Sequence, residues 1–575
     1  MIAKMTQYSF ILLHGDKEQF LSELQGLGVM DITRASKPVD SRSQSLLDNI
    51  RTLRGDVACT EKGMDDTLAA LLATRNALER ELAEAEPWGD YDRERLAVFG
   101  LHFYRVPSKK YDPAWEEQYA IQVVEQDEKE DTRFVIVGDN AGFPVKELPA
   151  PKRTVAELKT LLQEQEEKVE THRKILEARK ADIPQMQHEI RVLESELDRY
   201  LAATAAVPAA ENTVDTLVGF APTENDAAVT EYLDQAAVYY IKSEAKLEDN
   251  PPIKLKNNKF VKMFEVLTDM YGRPAYDEFD PTPILGPFFL LFFAMCMGDA
   301  GYGLLLILIG WLLKKKVPSM ADMGPLVSTL GVGTFLVGIV LHTFFGIDLY
   351  AAGWVPQWLK AVMVSGNIAG YDAQMVLAVG VGVFHICLAT VVKAVCYTTR
   401  FGFAKCISTW GWTLLIVGSV ITGGLALLGV IDAPVVKAIL IVIGIVSGVS
   451  IFFLNNLKRN PLLNVGSGLW ETYNTVTGLM GDVLSYLRLY ALGLAGGMLG
   501  STFNTLADMV LGLHVPGLNI LLFVALLLIG HALNLALSCL GAFVHPLRLT
   551  FVEYFKNSGY EGTGRTYHPL KTSNK

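Results

Sequence analysis

Apolar residues follow two patterns along this chain: sparse and periodic as far as Pro281, then merged into long runs from Pro283 onward. In the first part, Tyr8 to Thr33 reads strand, helix, strand, as YSFILL, the amphipathic KEQFLSELQGLG and VMDIT. A similar order returns at Asp215 to Ser243 with LVGF, ENDAAVTEYLDQA and VYYIKS, so two small open α/β lobes are expected. Strand-like runs between Arg95 and Val145 (LAVFGLHFYRV, YAIQVVEQ, TRFVIVG) complete a lobe at the far end. Two long helical stretches lie between. Ser43 to Glu86 aligns Leu46, Ile50, Leu53, Val57, Met64, Leu68, Leu71, Leu78 and Leu82 on one seam, and Thr154 to Leu201 aligns Val155, Leu158, Leu162, Val169, Leu176, Ile183, Met186, Ile190, Leu193 and Leu197. Steps of three, four and seven predict a long antiparallel coiled coil, each arm roughly 65 to 70 Å at about 1.5 Å per residue. Thr154 and Glu157 form a capping-box pattern, and Pro184 predicts a kink.

Beyond Pro283 eight membrane-crossing helices are expected. They run from Ile284 to Met297, Gly301 to Leu313, Leu326 to Gly346, Met375 to Val395, Ser408 to Val430, Val435 to Phe453, Gly466 to Val510 and Leu518 to Phe555. The first two join tightly at Gly298-Asp299-Ala300-Gly301. With the amino terminus inside, the inner side receives Lys314, Lys315, Lys316, Lys393, Arg400, Lys405, Lys458, Arg459, Lys556, Arg565, Lys571 and Lys575, and the outer side only Lys360 and Lys437. That asymmetry places both termini in the cytoplasm. The last two spans, 45 and 38 residues, exceed an upright crossing and must tilt, bend or protrude.

The chain has 575 residues, 50% apolar and 20% charged, which excludes disorder and a disulfide scaffold. Up to residue 281 it carries 35 Lys and Arg against 52 Asp and Glu, a net of −17; beyond it 16 against 10, a net of +6. An acidic soluble half argues against nucleic acid as a partner. Met1 to Asp16 holds only the short apolar run Phe10 to Leu13, too brief for a signal sequence, so the soluble half is expected in the cytoplasm. The six cysteines form no C-x-x-C pair, and no metal or redox role is assigned to them. No phosphate-binding glycine loop, zinc-protease motif or nucleophile elbow occurs, so no cofactor is expected and any ATP chemistry belongs to another chain.

The residues that carry chemistry lie in the last two apolar stretches. Arg488, in SYLRLYALGLAGG, is far from both ends of its helix, and Arg548 lies in HPLRLTFVEYF. An unpaired arginine near mid-bilayer costs about 3 kcal/mol on insertion scales, which makes both functional candidates. The plain structural alternative is an ion pair of Arg488 with Asp482 or Glu471. His531, Asn534, Ser538, Gly541, His545 and Arg548 recur at three- and four-residue steps and share one helix face, like the wall of an aqueous path. The preceding helix presents Asp482, Ser485, Arg488, Gly493, Gly496, Gly497, Gly500 and Asn504; small residues there let another helix approach closely. Glu471, Asp482, Ser485, His531, Asn534, Ser538, His545 and Glu553 are the half-channel candidates.

GDAGYG at Gly298 to Gly303, GDVLSYLRLYALGLA at Gly481 to Ala495 and GHALNLALSCLGAFVHPLRLTFVEYFKNSGYEGTGR at Gly530 to Arg565 resemble the membrane stator subunit a, or subunit I, of V-type and archaeal-type rotary ATPases. The resemblance covers essentially the whole chain and looks prokaryotic. It implies a cytoplasmic stator arm at residues 1–282, six transmembrane helices at 283–460, and two long tilted helices facing a rotor ring at 461–575. It further implies that Arg488 and Arg548 face a ring of small apolar subunits, each with an ion-binding carboxylate. Peripheral stalks, central-stalk subunits and nucleotide-binding subunits are the other partners, in a prokaryotic cell membrane. Some animal and fungal relatives place a His about two turns after the first arginine and an acidic residue before the second. Here those regions hold Gly496 and Ser538, so that proton path does not carry over. The identity of the ion, H⁺ or Na⁺, is written on the ring subunit. A secondary transporter with a cytoplasmic regulatory domain is the rival; no clear inverted repeat supports it.

Overall fold

The computed structural model describes residues 2–572 apart from 36, 38, 91–95, 127–130, 151, 210–212, 237, 318–319, 321–322, 369, 456–460 and 513–517. Lys458, Arg459 and Lys575, used above for orientation, lie outside the described residues. The chain is mostly helical and divides into two units, residues 11–217 with 569–575, and residues 1–10 with 218–568.

The amino-terminal half supplies strands β1 (Met5–Leu13), β2 (Asp31–Ile32), β3 (Leu101–Pro107), β4 (Ile121–Gln126), β5 (Asp131–Val137), β6 (Val207–Ala209), β7 (Val214–Pro222) and β8 (Tyr239–Glu244). One sheet has the order β2-β7-β1-β8 with β6 on β7, and a second the order β3-β5-β4. The two strand-helix-strand segments therefore share one sheet instead of forming separate lobes. Alternation explains it: β1 buries Tyr8, Phe10 and Leu12 on one face, β7 buries Leu217 and Ala221 on one face, and a two-stranded ribbon alone is only marginally stable. The middle segment forms the second sheet, as its runs predict, over a core of Tyr104, Val106, Phe134 and Ile136.

Helices of this half are α1 (Lys17–Leu27), α2 (Ser41–Lys62), α3 (Asp66–Ala85), α4 (Val155–Arg179), α5 (Ile183–Thr204) and α6 (Asp226–Gln235). Each expected long arm is thus two helices. Gly63, with φ of 62°, ends α2 in the left-handed conformation that glycine adopts most cheaply. Pro184 falls in the first turn of α5, after the turn Lys180–Asp182, where proline starts a helix and lacks no hydrogen bond. The seams still pair: Ile50 and Val57 of α2 pack with Ile190 of α5, and Leu68 of α3 with Val169 and Leu176 of α4. The Thr154 and Glu157 capping box forms at the start of α4.

In the other unit follow α7 (Thr282–Met297), α8 (Ala300–Lys316), α9 (Gly324–Val340), α10 (Ala373–Phe401), α11 (Ile407–Leu427), α12 (Ala433–Phe452), α13 (Pro461–Ser485), α14 (Leu487–Leu511) and α15 (Leu518–Arg548). Among the described residues, α10, α11, α12, Leu462–Leu511 and Leu518–Ser558 are long and apolar enough to cross a membrane; α7 and α9 are shorter apolar helices. The third stretch ends at Val340, not Gly346, and turns back through a hairpin pairing Thr343–Phe344 with Ile347–Asp348. Helices α8 and α9 approach through glycine. A Cβ at Gly331 would lie 2.7 Å from the Ile307 nitrogen, and one at Gly338 2.2 Å from that of Ala300.

Asp65 joins the paired helices by two roles. Its Oδ1 accepts from the Leu68 N–H at 2.7 Å, capping α3, and both its oxygens lie 2.9 to 3.0 Å from Nε2 of His172 on α4. Burial alone would raise its pKa; the Leu68 amide and His172 outweigh that and hold it below the usual carboxylate range. A depressed folded-state pKa gives stability that is fully present above the ordinary carboxylate pKa and is lost as pH falls through the lowered value. Hydrogen exchange on the purified protein should show the α3 amides losing protection as pH falls below about 4. Asp65→Ala should remove the effect and cost about 1 kcal/mol.

Candidate functional site

The 50-residue apolar stretch Leu462–Leu511 is interrupted at Tyr486, where α13 gives way to α14. There the Tyr486 N–H donates to Val483 O and the Leu489 N–H to Tyr486 O, each at 3.1 Å, a tighter turn than an α-helix makes. Tyr486 is fully buried, and its ring fills the space a side chain on Gly382 of α10 would need. Arg488 follows two residues later, half-buried, with its Nη1 buried and making no hydrogen bond. The structural alternative fails. Asp482 is taken by Lys556 Nζ at 3.3 Å and Asn557 Nδ2 at 2.7 Å, and Glu471 accepts from Asn455 Nδ2 at 3.4 Å. Among the described residues neither Arg488 nor Arg548 forms an ion pair.

Arg548 is the last residue of α15 and is exposed. Pro546 cannot donate into the helix ladder, and past it Leu549–Tyr554 widens into a π-turn before the short helix Phe555–Ser558. Thr550 Oγ1 donates to Pro546 O at 3.0 Å within this turn. The wide turn brings Glu553 inward: it is 2% exposed and its Oε2 has no partner. His545 is half-buried within electrostatic range of both arginines, and Ser485 is half-buried at the end of α13.

The polar stripe begins inside the bundle. Asn534 Nδ2 donates to Tyr302 Oη at 2.8 Å and to Gly496 O at 2.9 Å, and Ser538 Oγ donates to Asn534 Oδ1 at 3.3 Å. His531 bonds to Tyr302 Oη at 2.8 Å through Nδ1 and to Asn504 Oδ1 at 3.0 Å through Nε2. Asn504 Nδ2 donates on to Phe345 O at 2.8 Å. Beside it, the buried Asp299 accepts four backbone N–H groups, from Gly301, Tyr302, Phe345 and Gly346, at 2.8 to 3.2 Å. It caps α8 and pins the hairpin loop at once. His531, Asn534 and Ser538 therefore tie α15 to α8 and α14, while His545 and Arg548 lie toward the other end of the same face. Sequence reasoning missed Asp299, Tyr302, His385 and Tyr486 as site residues. Asp299, directly after a helix-ending glycine, carried an N-cap signal that would have found it.

A cavity of about 310 Å³ opens beside these residues, lined by Gly493, Gly497 and Ser501 of α14 together with His342, Asp348 and Gln374. Among the described residues no cluster of His, Cys, Asp or Glu is placed to hold a metal.

Residues 141–347 match the model of the V-type ATPase 116kDa subunit family. The A-type ATP synthase subunit I of Methanocaldococcus jannaschii is 32% identical over 354 residues, covering 57% of this chain and 50% of that protein. The V-type ATP synthase subunit I 1 of Treponema pallidum is 28% identical over 85% of this chain and 82% of its own length, and that of Borreliella burgdorferi 24% identical over the whole of both. This chain is similar to subunit I of these ATP synthases, and its residues 141–347 to the V-type ATPase 116kDa subunit family. It spans about half the length of the archaeal relatives it matches. The segment matched to the 116kDa subunit family contains Asp299 and the Phe345 and Gly346 amides it holds, whereas both arginines lie beyond it.

Asp299→Ala should leave four buried N–H groups without an acceptor and destabilise the protein by about 3 kcal/mol or more. Thermal unfolding of the purified subunit in detergent checks this; an unchanged midpoint would show that the carboxylate is dispensable.

Proposed function

We propose that this chain is the stationary, ion-translocating subunit of a rotary ATPase. The observation that carries the reading is the Arg488 guanidinium, set in an apolar helix with a buried Nη1 that none of the described residues satisfies. A cation so placed calls for an acidic partner on another molecule, which fits the carboxylate of a passing rotor subunit. An opposing cation lowers a carboxylate's pKa, so each rotor site gives up its ion before reaching Arg488 and reloads after leaving it. Arg548, exposed on the neighbouring helix, extends the same basic strip.

In this reading the membrane half crosses eight times, α7 to α12 once each, α13 with α14 as one bent span, and α15 as the last. Both termini are cytoplasmic, in a prokaryotic cell membrane. The cavity beside Gly493, Gly497 and Ser501 serves as the outer half-channel. Glu471, Asp482, Ser485, His545 and Glu553 line the inner one, with His531, Asn534 and Ser538 bracing the wall between. Ions crossing between the two release about 2.3 kcal/mol per charge per 100 mV, which turns the ring. The helices α2 to α5 form a coiled-coil arm that holds this subunit still against peripheral stalks. ATP is made or consumed on nucleotide-binding subunits linked through a central stalk.

Arg488→Ala should leave the complex assembled while ATP-driven ion uptake into vesicles falls to background. Arg488→Lys should also be impaired, because an ammonium loses its charge in a low-dielectric site more readily than a guanidinium. Full pumping by the alanine variant would refute the assignment.

A further inference from the structure

We propose that His385 is a positioning residue shared by both arginine-bearing helices, setting the tight turn before Arg488 and bracing the wide turn after Arg548. This rests on the reading of the two arginines given above and adds a residue on a third helix, α10. His385 is 1% exposed. Its Nδ1 is hydrogen-bonded to Tyr486 Oη at 2.9 Å, on the single residue where the long stretch breaks, two positions before Arg488. Its ring lies flat on that of Tyr554, centroids 4.6 Å apart and 9° from parallel, at the end of the π-turn that follows Arg548. Phe288 and Phe292 of α7 close the other sides, at 4.3 and 5.0 Å between centroids.

One side chain thus touches both backbone irregularities that adjoin the arginines. Neither irregularity is held by its own ladder bonds alone, since a tightened turn and a π-turn are each less stable than the regular helix they replace. Gly382, one turn earlier on α10, clears the space into which the Tyr486 ring drops; a Cβ there would lie 2.3 Å from it. His385 and Gly382 together make a socket for Tyr486. Relaxing the tight turn to α-helical geometry would rotate Arg488 away from the direction it now faces, and misplacement by about 1 Å at a reacting centre costs about 100-fold.

The test uses the whole complex reconstituted in vesicles, reading ATP-driven ion uptake, ATP hydrolysis and assembly for His385→Leu, His385→Asn, Tyr486→Phe and the double variant His385→Leu with Tyr486→Phe. Loss of uptake by about tenfold or more, with hydrolysis continuing, is expected for His385→Leu and Tyr486→Phe. The double variant should be no worse than the worse single one, because both remove the same bond. His385→Asn, which keeps an acceptor near the Nδ1 position, should restore part of the uptake, which a merely space-filling histidine would not require. If His385→Leu fails to assemble, Tyr486→Phe, which removes one oxygen, decides alone. An assembled Tyr486→Phe complex that moves wild-type numbers of ions per ATP overturns the proposal. Retained pumping by Arg488→Ala would instead overturn the reading on which it rests, so the two failures are separable.

Discussion

Hydrocarbon offers no hydrogen-bond partner, so every interruption of a helix within it must be satisfied by the protein itself. The membrane half interrupts its helices at Gly298-Asp299, at Tyr486 and at Leu549–Tyr554, and each place has its own remedy. At the first, one carboxylate gathers four amide protons. At the second, two shortened turns replace the lost ladder bonds, and a buried tyrosine finds a histidine on another helix. At the third, a threonine hydroxyl returns a donor to the carbonyl of the proline that opens the turn. The unusual chemistry sits beside these interruptions. Arg488 follows the second, Arg548 precedes the third, and Glu553 lies within it.

The close approach of the bundle makes such local remedies sufficient. Glycine on α8 and α9 lets two short helices run nearly backbone to backbone, which leaves the loop after α9 within reach of Asp299. Glycine at 493, 496 and 500 does the same on α14, where carbonyls and amides of neighbouring segments stand in for side chains.

Much of this was legible in the sequence, and the parts that were not share a cause. Apolar runs located, to within a few residues, the five described helices that are long and apolar enough to cross a membrane, because such a helix announces itself by length and composition alone. The excess length of the last two runs called for tilt, bending or protrusion. It could not place the interruption at Tyr486, whose ring sits against Gly382 and bonds to His385 a hundred residues away. Gly63 ended a helix that the heptad seam seemed to carry straight through, since the seam resumes in register after the turn. Both strand-helix-strand segments were visible, but their union in one sheet was not, because pairing between distant strands leaves no local trace. For the candidate site, Arg488 and Arg548 stood out because charge in an apolar run is costly. Tyr302 and His385 did not, since a tyrosine or histidine among apolar residues is unremarkable until its partner is known.

The hydrogen bonds around Tyr302 also fix where each proton sits. Asn534 uses both of its amide hydrogens, on Tyr302 Oη and Gly496 O, so the tyrosine must direct its own hydrogen to His531 Nδ1. The imidazole then carries its hydrogen on Nε2, facing the Asn504 oxygen, and the Asn504 amide passes the polarity on to the Phe345 carbonyl. Every dipole in this string points the same way, and it begins and ends on amides, which do not relay protons. The string is a fixed brace: with its donors already spent on one another, it binds three helices into one wall.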